Sequence, residues 1–269
     1  MRCVTLPIIF GAITLAAVPA TAQTRGGFEV GLRVADYNYR ERLNSTTIVR
    51  DDGLLYGLAV GYTQTLGGGF FLRGRAEGMT GSIDYEDDDG ERIEGVQQTT
   101  GFAEFHAGRD FRVGEATVAP FVGIGHRSLE DESGGETTQS GLEGYDREVQ
   151  YIYVPVGMTA ALPIGGRSRL ALSGQVNWIV SGDVESKFSE LDPEFPDVRA
   201  DLRGGHGFRL SAMIEVPVGG NVVKFGPFLE HWRVNASESV LLSDDEETIE
   251  LFEPANRTTL MGLALSFAF

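Results

Sequence analysis

Histidines and carboxylates are the residues of this chain with the most evident chemistry: four His, and 39 Asp and Glu against 22 Lys and Arg. An imidazole within hydrogen-bond reach of a carboxylate can move protons in hydrolysis. His126, His206 and His231, with Asp131, Asp146 and Asp201 nearby in sequence, form the candidate set. Residue alternation counts against it, because His126 shares a strand face with Val122 and Ile124, His206 with Phe208 and Leu210, and His231 with Phe225 and Leu229. These faces are apolar and point away from any enclosed site. The acidic run DYEDDDGERIEG (84–95) invites a calcium-loop reading, which needs ligands one, three and five places along, Gly at six and Glu at twelve. With Gly90 at six, Tyr85 falls at one and Val96 at twelve, so the pattern fails. No serine–histidine arrangement for acyl hydrolysis and no phosphate loop is evident. The expectation is no catalytic residue, no metal site, no cofactor and no nucleic-acid partner.

The elements that must carry these residues are strands. Ten segments alternate large apolar residues with small or polar ones: 27–37, 54–64, 70–81, 99–111, 116–127, 148–162, 168–181, 205–217, 222–234 and 257–269. In the last, Met261, Leu263, Leu265, Phe267 and Phe269 share one face, and Gly262, Ala264, Ser266 and Ala268 the other. Period two marks a strand between two unlike environments. The connections alternate as well. TLGGG (65–69), RVGE (112–115), PIGGR (163–167) and VGGN (218–221) are tight turns, whereas 38–53, 82–98, 128–147, 182–204 and 235–256 are long. A sandwich has no reason for this regularity. A transmembrane β-barrel does, with short periplasmic turns at one rim and long external loops at the other. Its large apolar residues then face lipid, and closure leaves no backbone edge in hydrocarbon. The fold class expected is all-β: one antiparallel up-and-down barrel of about ten strands.

The first 22 residues fit an export signal: Arg2, an apolar stretch from 4 to 19, and Ala20 and Ala22 placed for cleavage before Gln23. Residues 23–269 then make one barrel domain. Cys3 leaves with the signal, so the mature chain has no thiol chemistry.

A closing strand that ends in Phe269 with apolar or aromatic residues every second place resembles that of Gram-negative outer-membrane barrels. The resemblance implies an outer-membrane location and makes Phe269 part of the signal read by the barrel-assembly machinery. YIYVPVGM (151–158), FGPFLEHW (225–232) and NRTTLMGLALSFAF (256–269) are similar to small porin-like barrels with no assigned activity. The omptins, a ten-stranded outer-membrane protease family, are the enzymatic comparison, but no omptin motif is present.

Charge is distributed unevenly. The five long connections carry 0, −6, −5, −4 and −7, a total of −22 against −17 for the chain, which leaves the barrel proper at +5. Acidic external surfaces suit divalent cations bridging to lipopolysaccharide phosphates. Alternation places Glu29, Arg33, Arg73, Arg75, Glu77, Glu104, His106, Asp110, Arg169, Arg209, Glu215, Lys224 and Glu230 inward. Six basic groups against six acidic ones point to mutual pairing in a narrow interior, since a selective pore biases its lining to one sign. Tyr37, Tyr39, Tyr62, Trp178 and Trp232, near the strand ends, are expected in an aromatic girdle at the headgroups. The functional expectation is a structural or interaction barrel with a filled lumen; the alternatives are a narrow channel for small solutes and, at greater distance, an omptin-like surface protease.

Overall fold

A computed structural model describes residues 26–243 and 248–269. The expected export signal and its cleavage point lie outside these residues. Fourteen strands are present among the described residues: β1 (Gly27–Leu43), β2 (Thr46–Thr65), β3 (Phe70–Asp87), β4 (Arg92–Arg109), β5 (Phe111–Val113), β6 (Ala116–Glu132), β7 (Arg147–Gly165), β8 (Ser168–Ser186), β9 (Val198–Asp201), β10 (Gly205–Val218), β11 (Asn221–Val234), β12 (Val240–Ser243), β13 (Thr248–Leu251) and β14 (Ala255–Ala268). Ten of them close into a ring in the order β1, β2, β3, β4, β6, β7, β8, β10, β11, β14, every neighbouring pair antiparallel. The seam between β1 and β14 runs from Glu29 opposite Ala268 to Arg42 opposite Ala255. Phe28 and Phe269 exchange backbone hydrogen bonds of 2.9 Å at its periplasmic end. Of the remaining strands, β5 pairs with the start of β6, β9 extends the β8 edge, and β12 and β13 form a separate hairpin.

The ten segments expected from alternation are all barrel strands, but the strands are longer, up to 20 residues. Most of the connection 38–53 is strand, and the turn itself is only Asn44 and Ser45, both at positive φ. The cause is a change of phase along each wall. In lipid, Phe28, Val30 and Leu32 of β1 point out; four residues beyond Leu32 it is Asp36 that points out, while Tyr37 and Tyr39 are buried inside. The same exchange occurs on β2, where Leu54, Tyr56, Leu58 and Val60 are exposed outward but Asp51 is buried. Above the bilayer the outer face is wet, so the apolar set moves inward and the strand continues with its pattern inverted. This corrects the girdle: Tyr37, Tyr39 and Trp232 lie inside the barrel, whereas Trp178 faces outward.

The outward set defines the first experiment. Leu263 is 61% exposed on the lipid face and Ala264 is 6% exposed within the wall's inner face. Arginine at 263 should cost about 2–4 kcal/mol of barrel stability, as expected for a charge facing the bilayer midplane, and Ala264→Ser should be nearly silent. Urea unfolding in lipid vesicles measures both; equal losses would invert the two faces.

Candidate functional site: the lumen and its external mouth

The inner face carries three layers of side chains. Nearest the periplasm, Lys224 donates to Glu29 at 2.6 Å and lies 3.9 Å from Glu215. Arg73 donates to the Thr63 hydroxyl at 3.3 Å and rests over Phe71. Arg169 donates to the Thr117 hydroxyl at 3.2 Å and to the Ala161 carbonyl at 3.4 Å. Asp110 follows β4, half-buried, its backbone N–H bonded to the Gly69 carbonyl.

The middle layer closes the barrel. Arg209 on β10 donates to Glu104 on β4 at 3.0 Å and to Glu230 on β11 at 2.6 and 2.9 Å, with its guanidinium 3.8 Å from the Phe102 ring centre. β4 and β10 stand four strands apart around a ring of ten, so this contact crosses the lumen. Arg127 on β6 makes a second crossing, 3.2 Å from Glu230, and its guanidinium lies over Trp232 and Tyr151. Several walls supply donors to these two carboxylates, although Glu104 Oε2 is buried without a hydrogen bond. Glu104 also accepts from Tyr153 at 2.7 Å and Gln175 at 2.8 Å, and Glu230 from the Trp232 indole at 2.6 Å. Arg33 holds Glu77 at 3.2 Å and reaches Ser266 at 3.3 Å. Arg75 is more loosely placed, 3.7 Å from Glu104 and 3.9 Å from Glu77. His106, buried and stacked on Phe121, is 3.3 Å from Glu104 without hydrogen-bond alignment. Two glycines make room for the aromatics: a Cβ at Gly125 would meet the Tyr153 ring at 2.3 Å, and one at Gly207 the Trp232 ring at 2.6 Å. The void left between Met79, Phe102 and Leu260 is about 10 Å³, space for one water at most.

Above the lipid-facing band, the third layer surrounds Arg147 of β7. Its guanidinium contacts Glu41 of β1, is 3.0 Å from Glu253 and 3.8 Å from Asp131, and lies over the Tyr39 ring. The Tyr39 hydroxyl donates to Glu41 at 3.0 Å and to Glu253 at 3.3 Å. Asp51 is buried on the same inner face, directly across the β1–β2 register from Tyr39. Burial raises its carboxyl well above the usual range, against the pull of Arg147, and burial raises Asp131 too. Burial likewise pushes the Glu253 carboxyl up to about 7, with Arg147 opposing. Beside this cluster is a cavity of about 250 Å³ whose other walls include Tyr145, Phe188 and Phe252.

Alternation therefore brings together Glu104, Arg209 and Glu230, and Arg33 with Glu77, while the periplasmic charges form a separate layer. It stopped short of Arg127, which ends the fifth segment and whose inward phase follows from the outward His126. Arg147, Glu41, Asp51, Asp131 and Glu253 carry no inward signal in the sequence, since all lie in or at the edge of the long connections, beyond the ten alternating segments. The candidate hydrolytic set does not assemble: His126 and His206 are exposed outside, and His231 bonds the Thr259 hydroxyl at 2.9 Å, whereas Asp131 is inside. Asp146 accepts from Gly134 and lies 3.4 Å from Lys187, and Asp201 is exposed beside β8.

The family model for the autotransporter β-domain matches residues 9–225. No curated protein matches the chain. Among solved structures, the outer membrane protease OmpT from Escherichia coli is 12% identical, the alignment covering 93% of this chain and 99% of OmpT with a TM-score of 0.55. The transport unit of the Escherichia coli autotransporter AIDA-I is 6% identical, covering 94% and 93% of the two chains, TM-score 0.42. Neisserial surface protein A is 10% identical, covering 90% and 97%, TM-score 0.34. At these identities the likeness to OmpT is one of fold.

Two measurements test the layers. Removing one member of a buried pair strands the other, at about 3–5 kcal/mol, so Arg209→Ala should lower unfolding stability by that amount and Arg75→Ala by distinctly less; equal losses would contradict the ranking. The external layer should respond to pH. Glu253 titrates near 7 folded and 4.5 unfolded, so the native state binds more protons between these values. Stability then falls as pH rises through that window and levels off above it. Asp51 and Asp131, also raised, add to the fall in the same direction. The midpoint of heat unfolding in detergent should drop from pH 5 to pH 8, and Glu253→Gln should flatten the drop; an unchanged slope in that variant would remove Glu253 as its source.

Proposed function

We propose that this chain, which belongs to the autotransporter β-domain family and is an integral barrel of the Gram-negative outer membrane, serves as a closed barrel with an interaction role rather than as a channel or an enzyme. The observation that carries this reading is the pair of contacts across the lumen, Arg209 to Glu104 and Arg127 to Glu230, with aromatic rings between them. An ion moving through would have to part buried pairs drawn from six of the ten walls. Such pairs are costly to break, and the lining carries both signs, unlike the single-sign rings of selective pores.

The outward surfaces support the interaction role. Asp36, Asp52, Asp84 and Glu130 are exposed on the outer face above the apolar band, where divalent cations can bridge carboxylates to the phosphates of lipopolysaccharide. Phe269 stands exposed beside Phe28 at the periplasmic seam, ring centres 6.4 Å apart, a position from which the assembly machinery can read it. The non-enzymatic reading rests on the separation of the outward histidines from the inward acids, and on His106 lying against Glu104 and the Phe121 ring.

Planar-bilayer recording on protein purified from outer membranes tests the proposal. The native barrel should give no steady conductance, and Arg209→Ala combined with Arg127→Ala should open one. A stable pore in the native protein would replace the closed barrel with the channel.

A further inference from the structure

Cross-strand register sorts the outward charges of this barrel by sign. On the wall that runs from β11 through β14 and β1 to β2, Arg233 stands directly opposite Arg257, Arg257 opposite Arg40, and Arg40 opposite Arg50. His206 of β10, opposite Arg233, extends the row toward Trp178 of β8. Each arginine continues the outward phase of its strand, with Met261 and Leu263 below Arg257, and Leu54 and Tyr56 below Arg50. Arg50 and Arg233 are exposed, and Arg40 and Arg257 half-buried. The wall made by β6, β7 and β8 has the reverse arrangement, Glu130 opposite Glu148 and Glu148 opposite Glu185.

Like charges directly opposite one another destabilise a sheet, so four arginines in adjacent strands call for counter-charge. The chain supplies little of it. Arg40 takes Asp52 in a two-pronged contact at 2.9 and 3.0 Å. Glu86, across the register from Arg50, pairs instead with Arg92 at 2.7 Å. Asp36 lies lower on the wall, opposite Met261 and Leu54. Arg50, Arg233 and Arg257 form no ion pair among the described residues. Their height shows where counter-charge is to be found. Arg257 and Arg50 lie beyond the lipid-facing Met261 and Leu54, residue 257 against 261 and 50 against 54. At about 3.3 Å per residue on a strand tilted by about 40°, that is roughly 10 Å above the last apolar side chain, the level of headgroups rather than of acyl chains. The row is about 15 Å wide, three strand spacings, and it curves with the barrel, which suits separate anionic groups on a flexible headgroup better than a rigid protein face. Guanidinium matches phosphate in particular, since its paired N–H donors meet two oxygens at once and its charge is permanent. We propose that this outward row is a docking surface for the phosphate groups of lipopolysaccharide in the outer leaflet, held by direct arginine contacts that need no divalent cation. Arg233, Arg257 and Arg50 take the phosphates, and Arg40, held by Asp52, adds to the positive field between them.

The row rests on the interaction role and adds a contact apart from the cation-bridged acids, yet the readings fail separately: a conducting pore would sink the closed lumen alone, and absent binding would sink the row alone. Microscale thermophoresis tests it on the protein purified from outer membranes and freed of bound lipid in detergent. Diphosphoryl lipid A, lipid A stripped of both phosphates, and inorganic phosphate are each titrated in EDTA. Saturable binding of diphosphoryl lipid A is expected, with the stripped form at least tenfold weaker and no binding of inorganic phosphate over the same concentrations. Arg233→Gln combined with Arg257→Gln should weaken binding at least tenfold, and Glu130→Gln combined with Glu148→Gln should leave it unchanged, heat-modifiable migration on gels showing both barrels intact. Arg50→Gln, at the exposed end of the row, gives the same readout if the arginine pair fails to fold. Binding that vanishes in EDTA, equal binding of the stripped lipid or of inorganic phosphate, or full affinity in the folded arginine variant would overturn the proposal. A second copy of the chain as the occupant would appear in analytical ultracentrifugation as a dimer that the arginine variant splits with lipid affinity unchanged, and that result would overturn it too.

Discussion

Every backbone N–H and C=O at membrane depth must find a partner within the protein, and this requirement shapes everything else here. An open sheet would leave an unpaired row of donors and acceptors on each of its two edges in hydrocarbon, so β14 has to return to β1. It does so along a continuous register, ending where Phe28 and Phe269 exchange their hydrogen bonds. Closure at ten strands then sets the width of the interior, narrow enough for side chains of opposite walls to touch.

That width decides the chemistry of the lumen. Long charged side chains in a space of this kind are neither freely solvated nor able to avoid one another. Arginine suits it well: the planar guanidinium bridges two carboxylates and rests on an aromatic ring, and its stem fills volume. Arg209 does all of this between Glu104, Glu230 and Phe102. The wall yields space where rings lie against it, at Gly125 and Gly207. Charge pairing and packing are therefore one device, and the absence of side chains at two positions is as much a part of it as the arginines.

Along its axis the barrel passes through three solvents, and each wall answers with its own arrangement. In the bilayer the apolar residues face out and the charges face in. Above the bilayer the order reverses, with Tyr37 and Tyr39 turned inside and Asp36 and Asp52 outside. The crossing point brings acids from β1, β2, β6 and the segment after β13 to one guanidinium on β7. Residues far apart in the chain, 41, 51, 131, 147 and 253, share that mouth because the ring brings every strand to the same height.

Period-two alternation of apolar size, with the regular exchange of short and long connections, was sufficient to determine the ten strands, their closure into a barrel and the inward side of each lipid-embedded wall; Glu104, Arg209 and Glu230 are legible that way because lipid imposes one phase on every strand. The resemblance of the closing strand to outer-membrane barrels added location. Alternation lost its force where lipid ends: once water lies outside, polar residues belong on that face, the apolar phase inverts, and strands such as β1 and β2 look like loops although their hydrogen bonding continues. Their place near strand ends therefore suggests a girdle for Tyr37, Tyr39 and Trp232, whereas all three are core. Which inward charges meet was beyond a one-dimensional pattern, for partners such as Arg209 and Glu104, 105 residues apart, are chosen by the stagger of strands around the ring. Only the closed structure determines that stagger, since it depends on hydrogen-bond registers that all ten strands must satisfy at once.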